Sequence, residues 1–189
     1  MTSTRLEAFS DAVIAIVITV MVLELPAPHG EHLTALRPSL PALSNYALSF
    51  VFLGIYWNNH HHMLHLVERV NGAVLWANMH LLFWLSLVPF VTGWMGGSHL
   101  APVPTAAYGV VLLMSAVAYS ILQYTIVKHE GPNSRLRAAL GAGGKEKLSL
   151  ASYTAAIPVA LVQPRVAAGL FVFVVLLWLV PDRRVERVV

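Results

Sequence analysis

The side chains able to do chemistry gather at two places. Near the start, Arg5, Glu7, Ser10 and Asp11 share one short stretch that leads straight into a long apolar run. Ionisable groups at the edge of such a run are costly, and they face protein, water or a partner rather than lipid. Asp11 is expected to pair with Arg5 or to cap the helix, and either is compatible with a functional role. The second place is His60, His61, His62 and His65. His61 and His65 are four residues apart, a spacing that puts two imidazoles on one helical face and within reach of one metal ion. A helical zinc-protease motif needs Glu directly after the first His, and His62 stands there instead. No obvious carboxylate or other ligand completes a metal site. The expectation is therefore a histidine cluster at a membrane edge, packed against Asp11 or lipid head groups, with a capacity to respond to pH because unperturbed imidazole titrates near ~6.5.

Other candidate signals carry less. Asn78 and His80 are polar residues inside an apolar run, and their expected role is to tie helices together by hydrogen bonds. Thr92-Gly93-Trp94-Met95-Gly96 looks superficially like a carbonyl-lined potassium filter but lacks the Val-Gly-Tyr-Gly core. Gly141-Ala142-Gly143-Gly144-Lys145 has the wrong spacing for a phosphate loop, and Glu146 occupies the position where Ser or Thr must follow the Lys. The chain has no cysteine, which excludes disulfides, thiol catalysis and Cys-type zinc sites. No enzyme chemistry and no cofactor are called for.

These residues must be positioned by elements that live in lipid. Of the 189 residues, 57% are hydrophobic and 11% charged, against about 25% charged in soluble domains; the mean hydropathy is +0.68. Apolar runs extend from about Arg5 to Leu25, Leu40 to Leu66, Val70 to Met95, Val103 to Val127, Leu148 to Val162 and Val166 to Val180, separated by Pro, Gly and charge. A span takes roughly 17–25 apolar residues, so the last two runs are short and must tilt or recruit their flanks. Continuous rather than alternating apolarity argues for helices over a barrel. The expected fold is all-α, one domain over 1–189, with six transmembrane helices. The first run is a retained helix rather than a signal peptide, since Glu7 and Asp11 contradict a basic leader and Pro26-Ala27-Pro28 is a poor cleavage site.

Six spans put ten basic residues on one side, namely Arg5, Arg69, Lys128, Arg135, Arg137, Lys145, Lys147, Arg183, Arg184 and Arg187, and leave Arg37 and Arg165 on the other. The positive-inside rule then places both termini in the cytoplasm and the chain in the plasma membrane. The sequence pI near 9.5 reflects these loops and not a nucleic-acid surface.

Within the first run, Ile16, Val20 and Leu23 share one helical face. By periodicity alone this is a packing face. A resemblance adds to that reading. Arg5-x-x-x-Phe9-Ser10-Asp11, the Ala15-Ile16-Val17-Ile18-Thr19 run, and Trp57-Asn58-Asn59-His60-His61 in the second run together resemble the signature of the lysosomal-type potassium channel family, transmembrane protein 175, in its single-unit bacterial form. The resemblance implies a homotetramer with the first helix lining a central pore. It implies that Ile16, Val20 and Leu23 form the hydrophobic constriction that filters and gates, with Val20 smaller than the Leu some members carry. It also implies that Arg5, Phe9, Ser10 and Asp11 form a polar network with Trp57 and His61 that holds the pore helix. Thr19 and Glu24 are secondary pore candidates, Glu24 either drawing cations to the mouth or marking an interface. The expected partners are potassium ions, the lipid bilayer and further copies of the chain. Two rivals remain: a proton-coupled or metal-ion transporter using Asp11 and the His60–His65 cluster inside one subunit, and a histidine-dependent membrane metalloenzyme.

Overall fold

A computed structural model of the chain describes residues 3–28, 30–67, 70–131, 134, 136–137 and 143–179. Arg69, Arg135, Arg183, Arg184 and Arg187, on which much of the charge asymmetry rests, lie outside the described residues, as do Glu68, Gly141, Ala142, Val180 and Pro181.

Among the described residues every regular element is helical. Helix α1 covers Ser3–Met21 and continues as a 3-10 turn, Val22–Glu24; a 3-10 segment over Leu33–Ser39 leads into α2, Leu40–His65. The third span is broken into α3, Gly72–Ser86, and α4, Val88–Gly97; then come α5, Pro102–Glu130, α6, Gly144–Val162, and α7, Pro164–Leu179. Taking α3 and α4 as one kinked span, the chain is an all-α membrane protein of six transmembrane helices. Four spans are long and apolar enough to cross a bilayer by that criterion alone, Ser3–Glu24, Leu33–His65, Gly72–Gly97 and Pro102–Glu130. The short fifth and sixth runs recruit their flanks as expected. The fifth reaches back through Lys145, Glu146 and Lys147 to Gly144, and the sixth starts at Pro164, where a proline suits the first helical turn because its missing N–H has no partner there anyway.

The break in the third span has a local cause. Pro89 has no N–H to donate, and its ring would collide with the carbonyl four residues back. Leu87 N instead bonds Trp84 O at 3.2 Å, a tightened turn, and Val91 N resumes the helix on Leu87 O at 3.2 Å. The result is a kink inside an otherwise uninterrupted apolar run.

The core packs α5 against α3 and α6, α6 against α7, and α2 against α4, while α1 lies on the side of the bundle formed by α2, α3 and α4. Leu53, Leu64, Leu81, Leu85, Leu112, Leu122 and Phe171 are fully buried. Burying apolar side chains gains little when the solvent is lipid, so close backbone approach and buried hydrogen bonds carry more of the specificity. A Cβ on Gly96 of α4 would stand 3.1 Å from Ala42 Cα of α2, and one on Gly109 of α5 would meet Phe171 at 3.1 Å and Ile157 at 3.2 Å. Ser49 Oγ of α2 sits 2.7 Å from Thr92 Oγ1 of α4 and 2.9 Å from Tyr108 Oη of α5, joining three helices at one buried point.

Candidate functional site

Helix α1 divides lengthwise. Leu6, Ser10, Ile14, Val17 and Met21 recur at steps of three and four residues and are buried. The opposite stripe carries Ile16, 60% exposed, Val20, 42%, and Leu23, 78%, with Phe9 exposed on the same side nearer the N-terminus. Thr19 is also exposed, its hydroxyl donating to Ile16 O at 2.9 Å. A helix in contact with α2, α3 and α4 therefore leaves, among the described residues, an exposed apolar stripe. Glu24 is exposed at the end of the stripe, and its side chain packs on α4, where a Cβ on Gly93 would come 3.0 Å from Glu24 Oε2.

The buried side of α1 is held by two sets of polar contacts. In the first, Ser10 Oγ donates to Leu6 O at 2.8 Å and accepts from Asn78 Nδ2 of α3 at 2.9 Å. Asn78 Oδ1, an acceptor, lies 2.7 Å from His60 Nε2 of α2. The His60 proton therefore sits on Nε2, and its buried Nδ1 has no hydrogen-bond partner. Ser10, Asn78 and His60 are each fully buried, so this chain ties α1, α3 and α2 together away from solvent.

In the second set, Glu7 and Asp11 stand one turn apart on the face of α1 that meets α2. Glu7 Oε1 lies 2.8 Å from His61 Nδ1, a close contact without the alignment of a hydrogen bond; Asp11 Oδ1 is buried and has no hydrogen-bond partner. One ligand atom from each of Glu7, Asp11 and His61 falls within 4.8 Å of the others. Trp57 is exposed and stacks on His61, ring centroids 6.1 Å apart, and His65 stacks on its other neighbouring turn at 6.2 Å.

Several sequence expectations change accordingly. Asp11 does not pair with Arg5 among the described residues: six helical positions leave them roughly 120° apart around the axis, and Arg5 is exposed. Ser10 and Asp11 have different surroundings: Ser10 bonds Asn78, which in turn meets His60, while Asp11 stands beside Glu7 and His61 with its Oδ1 unpaired. Trp57 contributes a ring stack and Arg5 and Phe9 project from the exposed side, so none of these three joins a hydrogen-bonded network among the described residues. Asn78 ties helices as expected; His80 instead accepts from Trp84 Nε1 of its own helix at 2.9 Å. The carboxylates thought to be missing beside the histidine cluster are supplied by α1. The overlooked signal was Glu7 four residues before Asp11, which places both on one face. Finally, His61 and His65 lie parallel rather than converging on a point.

A half-open pocket lies among α2, α5, α6 and α7, with Tyr56, Tyr119, Tyr153, Glu146 and Trp178 in its wall. No residue of α1 and no member of the histidine cluster lines it.

This is a helical membrane protein whose N-terminal helix is anchored on one side by buried polar groups and, among the described residues, exposed on the other. Comparison with known proteins gives it a family. Residues 5–89 match the model described as endosomal/lysosomal potassium channel TMEM175. A potassium channel of Chryseobacterium sp. (strain P1-3) is 51% identical over 187 residues, covering 99% of this chain and 97% of the relative. A potassium channel of Chamaesiphon minutus is 32% identical over 143 residues, 71% of this chain and 68% of the relative. The crystal structure of a lysosomal potassium-selective channel TMEM175 homolog, also from Chamaesiphon minutus, superposes with a TM-score of 0.78 at 25% identity, covering 94% of this chain and 96% of that one. The chain belongs to the TMEM175 family.

Proposed function

We propose that this chain is the subunit of a potassium-permeable cation channel that prefers potassium over sodium. It assembles as a homotetramer in the plasma membrane, with both termini cytoplasmic. Four copies of α1 surround the axis and line the pore. Rings of Ile16, Val20 and Leu23 narrow it until water is unstable inside, so that the constriction both filters and gates. Potassium passes more readily than sodium because it sheds part of its hydration shell at lower cost. Glu24 lies at the mouth, Thr19 between the rings. The polar groups at the other end of α1 hold the helix.

The observation that carries this reading is the exposed stripe on α1. An apolar stripe on a membrane helix is no anomaly against lipid, but here the other face of the same helix is locked inward by buried hydrogen bonds. Relatives named as potassium channels, one of them matched over nearly its whole length, support the same assignment. The rival transporter reading requires a cavity within one subunit that contains Asp11 and His61; the pocket among α2, α5, α6 and α7 contains neither.

The test is ion flux in liposomes. Ile16→Asn and Leu23→Asn replace an apolar ring by four amides and are expected to raise conductance or weaken the preference for potassium over sodium. Because both positions are more exposed than buried within the protomer, folding should be nearly unaffected. Wild-type flux and selectivity in both variants would reject the pore-helix assignment.

A further inference from the structure

We infer that Glu7, Asp11 and His61 form a divalent transition-metal site that joins the N-terminal end of α1 to α2. Three observations carry it. The ligand atoms come from two different helices and already lie within 4.8 Å of one another. Asp11 Oδ1 is shut off from solvent and has no hydrogen-bond partner, a cost that a ligand removes; His61 Nδ1, equally shut off, meets Glu7 Oε1 at 2.8 Å without the alignment of a hydrogen bond. The charges call for a cation: two carboxylates one helical turn apart face a single imidazole, and among the described residues no Lys or Arg pairs with either of them.

The chemistry selects the ion. Zinc takes imidazole nitrogen and carboxylate oxygen at about 2.0–2.2 Å, so ligand atoms around it in a tetrahedron stand ~3.4 Å apart. Glu7 Oε1 and His61 Nδ1, 2.8 Å apart, would open by about half an ångström, and the Asp11 oxygen, within 4.8 Å of both, would settle to the same spacing, each by side-chain rotation. One imidazole and two carboxylates leave a fourth position for water, and the donor set suits zinc or a neighbouring divalent transition metal better than calcium, which prefers six to eight oxygens. Trp57, stacked on His61, limits the movement of the ring. The bound ion would cross-link α1 to α2 at the same end where Ser10, Asn78 and His60 already hold them. Zinc binding to the chain is read directly, so the result stands whether or not α1 lines a pore.

The experiment is zinc binding to the purified assembled protein in detergent. Titration by calorimetry and elemental analysis after gel filtration are expected to give one zinc per chain and a raised melting temperature. Removing partners that merely orient a metal ligand costs 10–100-fold in affinity, so losing a ligand outright should weaken binding by about 100-fold or more in Glu7→Gln, Asp11→Asn and His61→Ala. His99→Ala, between α4 and α5, should bind as wild type. Zinc held equally well by Glu7→Gln and Asp11→Asn would belong to the histidines alone and would overturn the assignment, as would the absence of stoichiometric zinc in the wild type. X-ray absorption on the wild-type zinc complex decides independently of any variant's folding: a first shell with one imidazole and the rest oxygen is expected, and one with two or more imidazoles refutes the site.

Discussion

A cysteine placed at Ile16 should cross-link one subunit to the next, and one placed at Val17 should not. The chain has no native cysteine, so each variant carries a single thiol per subunit. Contacting helices lie roughly 8–10 Å apart axis to axis, which puts each of four α1 axes ~6.4 Å from a common centre. A Cβ sits about 1 Å outside the Cα cylinder of ~2.3 Å radius, so a residue pointing at the centre has its Cβ ~3 Å from it. Neighbouring copies of that Cβ are then ~4.4 Å apart, inside the roughly 3.5–4.5 Å that a disulfide requires. Val17 is rotated by about 100° from Ile16, which carries its Cβ to ~11 Å from the neighbouring copy, and it is buried in its own protomer. Mild oxidation followed by non-reducing electrophoresis should therefore give dimer-sized bands from Ile16→Cys and monomers from Val17→Cys. Ile16→Cys that stays monomeric in an intact tetramer would refute the placement of the stripe on the axis; cross-linking at Val17 would show the helix turned the other way.

Other expectations concern the groups that hold α1 and the bundle. Asn78→Ala removes two buried interhelical hydrogen bonds, each worth about 0.6 kcal/mol and at most ~1.7 in membrane proteins. Thermal unfolding in detergent should thus show a loss of about 1–3 kcal/mol, larger than that of His80→Ala, whose bond stays within one helix; equal losses would count against the network. Gly96→Ala brings a methyl to 3.1 Å from the Ala42 backbone, an overpacking of the kind that costs about 1–3 kcal/mol. Gly54→Ala in α2 meets nothing within 4 Å and should be neutral or stabilising by up to ~1 kcal/mol, as expected for replacing glycine inside a helix. A melting temperature that falls equally in both would rule out close approach at Gly96 as the cause.

The sequence disclosed what is local. Six apolar runs and the shared face of Ile16, Val20 and Leu23 follow from periodicity and the cost of charge in lipid, and the helices fall where those runs lie. Pro89 was the local mark of the kink between α3 and α4, but the apolar run continues through it, and hydropathy averages over a break that costs no polarity. Pairings across the bundle were less legible. That Ser10 would find Asn78, 68 positions away, depends on how α1 and α3 are docked, and nothing in the spacing of either helix contains that. The carboxylate partners of His61 were readable in half: the four-residue step from Glu7 to Asp11 marks a common face, while the choice of α2 as its neighbour is tertiary. The proposed role of the stripe is the least legible of all, since a packing face and a pore face have the same period.

That ambiguity has a physical resolution in the polar anchors. Both sides of α1 are apolar along its membrane length, and lipid discriminates weakly between them. Hydrophobicity alone thus leaves the rotation of the helix about its own axis poorly specified. Turning α1 by one residue, roughly 100°, would move the Ser10 side chain by ~5 Å. The 2.9 Å bond to Asn78 could not survive that, and Glu7 would leave His61. A buried donor and acceptor left unpaired are penalised more than their bond is rewarded, so the contacts act on orientation more than on overall stability. Ser10 lies six residues before Ile16, about 9 Å along the helix, and a rigid helix carries its rotational setting over that distance. In the proposed pore, residues that touch no permeating ion would thereby set which side chains face the axis.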